Sequence, residues 1–363
     1  MTALEREIVE LISHEGPITV ARYMGLCLGH PAHGYYVTRN PFGPRGDFVT
    51  APEISQMFGE LIGLWCAEVW RQMGSPARVL LVELGPGRGT LMKDMLRAAK
   101  AVPEFRAALD VVLVETSPTL RDVQVGTLAE TAVPPRWAAT VEDALSTPAP
   151  ALVVANEFFD ALAVRQFVRT EAGWRERLVG LSAERSLAFG LAPEAPRDVR
   201  LPESPAGAVL EICPDAAVIG ARIARHVAAH GGAALAIDYG AGAAGGDTLQ
   251  AVRAHRYVDP LCAPGEADLT AHVDFGALAR AAAAAGASVM ELLPQGDFLE
   301  RLGLPQRAAQ LRQAATDEQR AAIDAAAARL TDRAPTGMGA LFKALAFADP
   351  RLGPLPGFAP AAP

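Results

Sequence analysis

A chain of 363 residues, half of them hydrophobic and 20% charged, can bury a sizeable core, either as one large domain with insertions or as two domains. Its net charge of −8 argues against nucleic acid as a partner and favours small molecules or proteins. Cys27, Cys66, Cys213 and Cys262 are too few and too scattered for a disulfide framework, and no C-x-x-C pair occurs, so a reducing compartment is expected.

Residues 1 to 13 set Leu4, Ile8, Val9 and Ile12 at helical spacing among Glu5, Glu7 and Glu10. That pattern is an amphipathic helix, neither a secretory signal nor a transit peptide, and no uncharged apolar run reaches membrane-spanning length. The expectation is a soluble, cytoplasmic protein. Residues 1–75 read as mostly helical, interrupted by a long loop from about 29 to 53, a length often associated with function. Within it, Cys27, His30 and His33 suggest a metal site, but Pro31 disfavours a helix that would align them and no fourth ligand is nearby, so zinc is disfavoured. Tyr35, Tyr36 and Asp47 either line a cleft or, for the tyrosines, serve as core aromatics.

The run Val79-Leu80-Leu81-Val82-Glu83-Leu84 is a buried strand that breaks into Gly85-Pro86-Gly87-Arg88-Gly89 and resumes at helical spacing through Leu91, Met92, Met95, Leu96 and Ala99. Strand, glycine loop and helix in succession place the glycines at the C-terminal edge of a strand, where open α/β sheets bind ligands. The spacing is neither the G-x-G-x-x-G of a dinucleotide loop nor a P-loop, which ends in Gly-Lys-Ser/Thr. E-x-G-x-G-x-G instead resembles the first motif of S-adenosylmethionine-dependent methyltransferases. Glycines let backbone approach such a ligand, and a helix N-terminus suits its carboxylate. A second buried strand, Val111 to Val114, ends in Glu115, placed to accept hydrogen bonds from ribose hydroxyls or else a solvated charge or helix cap.

A weak third strand is expected near Trp137 and a fourth at Ala151 to Ala155, so strands and helices alternate. Strand four runs into Asn156-Glu157-Phe158-Phe159-Asp160. Methyl transfer is a displacement at carbon that needs alignment and exclusion of water, and an arginine acceptor also needs carboxylates to orient its guanidinium and help remove a proton. Glu157 and Asp160 are the candidates, although either could instead cap the following helix. After residue 160 short strand-like pieces at 166–169, 174–179 and 208–212 read as an inserted β-rich element. The main sheet resumes at 233–240, residues 247–274 have little periodicity, and helices are expected at 274–285 and 304–314 around a strand at 288–293. Thr316 and Gln319 make a capping-box pattern before an alanine-rich helix ending near Leu330, residues 340–348 make a final strand, and the Pro/Gly stretch from Asp349 is expected to be loose.

These stretches together resemble the MidA family of class I methyltransferases, which includes a mitochondrial complex I assembly factor. The resemblance is carried by residues 46–60, 83–90, 156–162, 238–240, 246–250 and 268–275, nearly the whole chain in the right order. Ala163 stands where the family usually has proline, and Gly29 where an aromatic is common. The resemblance implies an α/β Rossmann-like sheet with a helical N-terminal region and an inserted β-rich element. It divides the chain into a cap and substrate loop at 1–75, a methyltransferase domain at 76–348 with its insertion at about 161–230, and a tail at 349–363. It also implies S-adenosylmethionine as cofactor, no metal, and symmetric ω-dimethylation of an arginine in a respiratory complex I subunit of the 49-kDa type. Candidate cofactor-binding residues are Glu83, Gly85, Pro86, Gly87, Gly89, Thr90, Glu115 and Asn156, and candidate catalytic residues are Glu157, Asp160 and Asp47. The alternatives are a cofactor-binding assembly factor without turnover and a methyltransferase acting on another substrate.

Overall fold

The computed structural model describes residues 1–38, 49–243 and 245–358. Asp47, with residues 39–48 of the expected loop, lies outside the described residues. The chain divides into two compact units, one built from Met1–Phe48, Asp160–Ala216 and Ala241–Gly276, the other from Val49–Phe159, Ala217–Gly240 and Ala277–Pro363.

The larger unit is the expected doubly wound sheet. Its main strands are β1 (Val79–Leu84), β2 (Leu109–Val114), β3 (Arg136–Ala138), β4 (Ala151–Asn156), β5 (Gly232–Ala241) and β6 (Phe342–Ala348). Their spatial order is β3-β2-β1-β4-β5-β6, with the first five parallel and β6 antiparallel to β5. Every residue of β1 and β4 is buried, as strands covered on both faces must be. The chain first builds outward from β1 to β3 and then returns to the opposite side of β1 with β4. The order therefore reverses between β1 and β4, and the crevice beyond their C-terminal ends is where such sheets take ligands.

Two helices pack against each other in the main core of this unit. Helix α1 (Gln56–Gln72) buries Met57, Phe58, Leu61, Ile62, Trp65 and Val69, and α2 (Thr90–Ala98) buries Leu91, Met92, Met95 and Leu96 in the same cluster. Gly59 and Gly63 of α1 lie against α2: a Cβ at Gly63 would come within 2.7 Å of the Met95 backbone. Helix α3 (Pro118–Leu128) follows β2, and Ser117 caps it by accepting from the Leu120 N–H.

The stretch from Asp349, expected to be loose, packs through residue 358. Leu355 and Phe358 enter the main core, and Trp65 Nε1 donates to the Pro356 carbonyl at 3.1 Å. The Pro/Gly composition hid three apolar anchors, Leu352, Leu355 and Phe358, at a spacing that one short wrap can bury. The strand expected over 288–293 is two short pieces, Ser288–Val289 and Leu293–Pro294, both paired with β6, and it leads into a helix at Gln295–Arg301 that the periodicity had not marked.

The smaller unit holds the N-terminal helix Ala3–Glu15, whose Leu4, Ile8 and Ile12 join a core with Tyr23, Met24, Cys27, Tyr35, Val164, Val179 and Leu269. Its inserted strands Arg165–Thr170, Gly173–Leu181 and Val209–Ile212 match the expected β-rich element and are joined by Leu187–Leu191. Residues 250–270, which lack periodicity, form a three-stranded antiparallel ladder, Gln250–Arg253 with Arg256–Val258 and Asp268–Thr270. Strands of three or four residues are specified by pairing more than by alternation. Tyr35 is wholly buried in this core, and Tyr36 donates its hydroxyl to Asp268 Oδ1 at 2.8 Å. His30 and His33 stack with ring centroids 5.4 Å apart, and both reach the Glu7 carboxylate, at 3.2 and 3.3 Å. Among the described residues no helix is long and apolar enough to cross a membrane.

Candidate functional site

Glu83 is the penultimate residue of β1, paired with Leu113 on one side and Val154 on the other, so its carboxylate is carried into the middle of the sheet. It is 3% exposed. The Met92 N–H, in the first turn of α2, donates to it, while Oε2 has no hydrogen-bond partner among the described residues. Burial pushes its pKa up to about 8, because a desolvated carboxylate with few donors favours the neutral form.

The loop that follows turns on three left-handed glycines, Gly85 at φ 59°, Gly87 at 52° and Gly89 at 82°. At Gly85 the requirement is double, since a Cβ there would also stand 2.9 Å from Phe158 Cδ2. Pro86 contributes its carbonyl, which accepts from the Gly89 N–H at 2.7 Å and closes the turn into α2. Thr90 donates its hydroxyl to Glu53 Oε1 at 2.6 Å, and the second oxygen of Glu53 lies 3.5 Å from the Arg88 guanidinium. Glu53 sits in the helical turn Ala51–Ile54, which is thereby tied to the glycine loop.

Glu115 directly follows β2 and is 8% exposed. Its Oε1 accepts from the Thr116 and Ser117 N–H groups, both at 2.8 Å, and its Oε2 accepts from Gln124 Nε2 at 3.2 Å. Its pKa is raised, chiefly by burial, against the opposing pull of these donors. Gln124, on α3 and fully buried, also donates to the Gly87 carbonyl at 2.8 Å and accepts from Trp137 Nε1 at 2.8 Å.

At the end of β4, Asn156 is 8% exposed and donates Nδ2 to Glu157 Oε1 at 3.1 Å, while its Oδ1 has no hydrogen-bond partner among the described residues. A flipped amide would press oxygen against that carboxylate, so the network fixes the assignment. Glu157 also accepts from the Ala51 N–H at 2.9 Å and takes the left-handed φ of 51°, rare for a residue with a Cβ. The turn is held by Asp238 of β5, wholly buried, whose Oδ2 accepts from the Phe158 and Phe159 N–H groups at 3.1 and 3.0 Å and whose Oδ1 accepts from the Tyr239 N–H at 2.9 Å.

The structure thus brings Glu83, the glycine loop, Glu115, Asn156 and Glu157 to one edge of one sheet. Asp160 belongs to the other unit, where it is buried, its carbonyl accepts from the Ala271 N–H at 3.0 Å, and its charge together with that of Asp268 raises the Tyr36 pKa beyond what burial does. Reasoning from sequence did not single out Glu53, Gln124 or Asp238. Glu53 and Asp238 lie within stretches noted for their resemblance, while Gln124 carries no motif and shows only as a polar residue on the buried face of α3.

The Glu83 burial has a measurable sign. Between an unfolded carboxylate pKa near 4.5 and the folded value of about 8, the unfolded chain loses its proton while the folded one keeps it, so stability falls as pH rises through that window and levels off above it. Glu83→Gln removes this slope and is expected to be more stable than the unmodified chain at pH 8, by on the order of a few kcal/mol, with the difference shrinking toward pH 4.5. Denaturant unfolding of both chains across pH 4.5–8.5 checks this, and a pH-independent difference would refute the assignment.

Comparison with known proteins agrees with this geometry. Residues 61–293 match the family described as S-adenosyl-L-methionine-dependent methyltransferase. Mouse (Mus musculus) protein arginine methyltransferase NDUFAF7, mitochondrial, is 39% identical over 332 residues, covering 85% of this chain and 76% of the mouse protein. The Homo sapiens protein of the same name is 38% identical over 332 residues, covering 85% and 75%. The crystal structure of a Burkholderia thailandensis protein bound to S-adenosyl-homocysteine superposes with a TM-score of 0.84 at 29% identity, covering 98% of this chain and 94% of that one. The mouse and human names correct one expectation: both relatives are mitochondrial, which overturns the cytoplasmic reading. That reading took the acidic N-terminal helix as evidence of address, whereas the helix is a packed element of the fold.

Proposed function

Since this chain belongs to the S-adenosyl-L-methionine-dependent methyltransferase family that its residues 61–293 match, we propose that it methylates an arginine side chain of a protein. The residues at the sheet edge fit the cofactor. Glu83 Oε2 and Asn156 Oδ1 are buried at the ends of adjacent strands with no protein partner among the described residues, and a ligand that brings a charged amino group would favour the ionised carboxylate at Glu83 and give both oxygens a donor, an observation that carries the reading. Gly85, Gly87 and Gly89 leave the approach to α2 free of side chains, and Glu115 offers a carboxylate to ribose hydroxyls. When bound, the cofactor supplies an electrophilic methyl group on a sulfonium.

The chain's own residues then have to position an acceptor nitrogen and take up its proton. A guanidinium is a poor nucleophile while its lone pair is delocalised over a cation, so a carboxylate that holds it and favours proton loss lowers the barrier. Glu157 is our candidate for that role at the sheet edge, with Asp160 as a second carboxylate and Asp47 as a third in the N-terminal loop. The names of the mouse and human relatives support arginine as the acceptor. The 49-kDa-type subunit of respiratory complex I, as substrate of a symmetric ω-dimethylation that supports assembly, rests on the family resemblance.

The test is transfer of a labelled methyl group from S-adenosylmethionine to the purified subunit, followed by mass spectrometry of the product peptide. The expected result is label on one arginine with symmetric dimethylation. Specific binding of the subunit without any transfer would instead assign the chain to a cofactor-binding assembly role.

A further inference from the structure

We infer that Gln124 is a positioning residue for the nucleoside end of the cofactor, because its one side chain sets the glycine loop and the Glu115 carboxylate at a fixed separation. The inference rests on the S-adenosyl reading of the site. Gln124 is fully buried and uses every hydrogen-bonding group it has: Nε2 donates to the Gly87 carbonyl at 2.8 Å and to Glu115 Oε2 at 3.2 Å, and Oε1 accepts from Trp137 Nε1 at 2.8 Å. The orientation is forced. Two acceptors stand on one side and the indole, which can only donate, on the other, so the amide has one satisfied setting.

That setting reaches both parts of the site. The Gly87 carbonyl belongs to a residue at φ 52°, in a loop whose backbone is also held by the Gly85 N–H on the Val114 carbonyl and the Gly89 N–H on the Pro86 carbonyl. Glu115 Oε1 is held by two backbone N–H groups, and Gln124 holds Oε2, which fixes the plane of the carboxylate. A ligand that must meet the loop and the carboxylate together gains from having both set beforehand, since it need not order them on binding. Trp137, on the far side of the amide, donates to Gln124 and contributes to stability.

The experiment is calorimetric titration of S-adenosylhomocysteine into the folded chain and its variants, each checked by circular dichroism. Gln124→Met keeps length and packing but loses all three bonds, and it is expected to weaken binding about tenfold to a hundredfold. Gln124→Glu, of nearly the same shape, puts an acceptor where Nε2 donates and serves as the second variant should the methionine chain be poorly folded. Its expected loss at pH 8 is at least as large. Trp137→Phe removes only the far bond and should lower the unfolding midpoint while changing affinity less than about threefold.

A role through Glu115 also predicts coupling. Glu115→Gln weakens binding by itself, and adding Gln124→Met to it should cost less than the product of the two single losses, because the part that Gln124 exerts through Glu115 is already gone, whereas a merely structural glutamine gives losses that multiply. Unmodified affinity in a folded Gln124 variant, or multiplying losses in the double variant, overturns the inference while leaving the cofactor reading intact. Failure of the unmodified chain to bind S-adenosylhomocysteine removes both.

Discussion

Gly85→Val is expected to abolish S-adenosylhomocysteine binding, a loss of at least a hundredfold, in a chain that still folds. Two independent costs meet at this position. A residue with a Cβ held at φ 59° is strained by about 1–2 kcal/mol. The Cβ would also sit 2.9 Å from Phe158 Cδ2, with valine's two methyls adding to the crowding, so either the ring or the loop must move. The loop is the softer of the two, because Asp238 clamps the Phe158 backbone from β5. Its displacement carries Gly87 away from the crevice, which is where the affinity is lost. Gly89→Ala provides the graded comparison: its φ is 82°, but its Cβ would meet nothing closer than 3.6 Å, so it bears backbone strain alone and should lose binding only severalfold. Calorimetry on both, with thermal unfolding to establish folding, decides the matter. Normal affinity in a folded Gly85→Val chain would remove the glycine loop from the binding site.

How far the site could be read beforehand depended on which forces specify each part. Strand β1 at Val79–Leu84 and the capping box of Thr316 with Gln319 stand where the sequence places them, because continuous burial and a local side-chain-to-backbone exchange are both written within a few residues. Glu83, the glycines and Glu115 were visible for the same reason: they sit at strand ends. Gln124 and Asp238 were not, since their meaning lies in partners 37 and 80 residues away, Gly87 and Phe158, which no local pattern reveals. The left-handed backbone of Glu157 was equally silent, because a glutamate at that φ is chosen by the Asp238 clamp and the β4-to-β5 register and not by its own propensity. The separation of Glu157 from Asp160 into different units was hidden by their nearness in sequence.

That separation shapes the prediction for the acceptor. Glu157→Gln is expected to cut single-turnover methyl transfer to the arginine substrate by about a hundredfold to a thousandfold, with cofactor affinity changed less than threefold. The reason for choosing the amide is structural. Glu157 Oε1 accepts from the Ala51 N–H and from Asn156 Nδ2, and a glutamine can keep its oxygen in that place, so the turn at Ala51–Ile54 stays docked while the negative charge is lost. Glu157→Ala would free that turn and, through Glu53, disturb Thr90, confounding chemistry with cofactor binding. Asp160→Asn tests the second carboxylate in the other unit. A loss of transfer comparable to that of Glu157→Gln would assign Asp160 a part in the chemistry, and an unchanged rate would remove it. The measurement pairs transfer of a labelled methyl group with titration of the cofactor for each chain. Full transfer by folded Glu157→Gln would eliminate a charged orienting group at the end of β4 and leave Glu157 the role its hydrogen bonds already describe, that of holding Ala51 against the strand end.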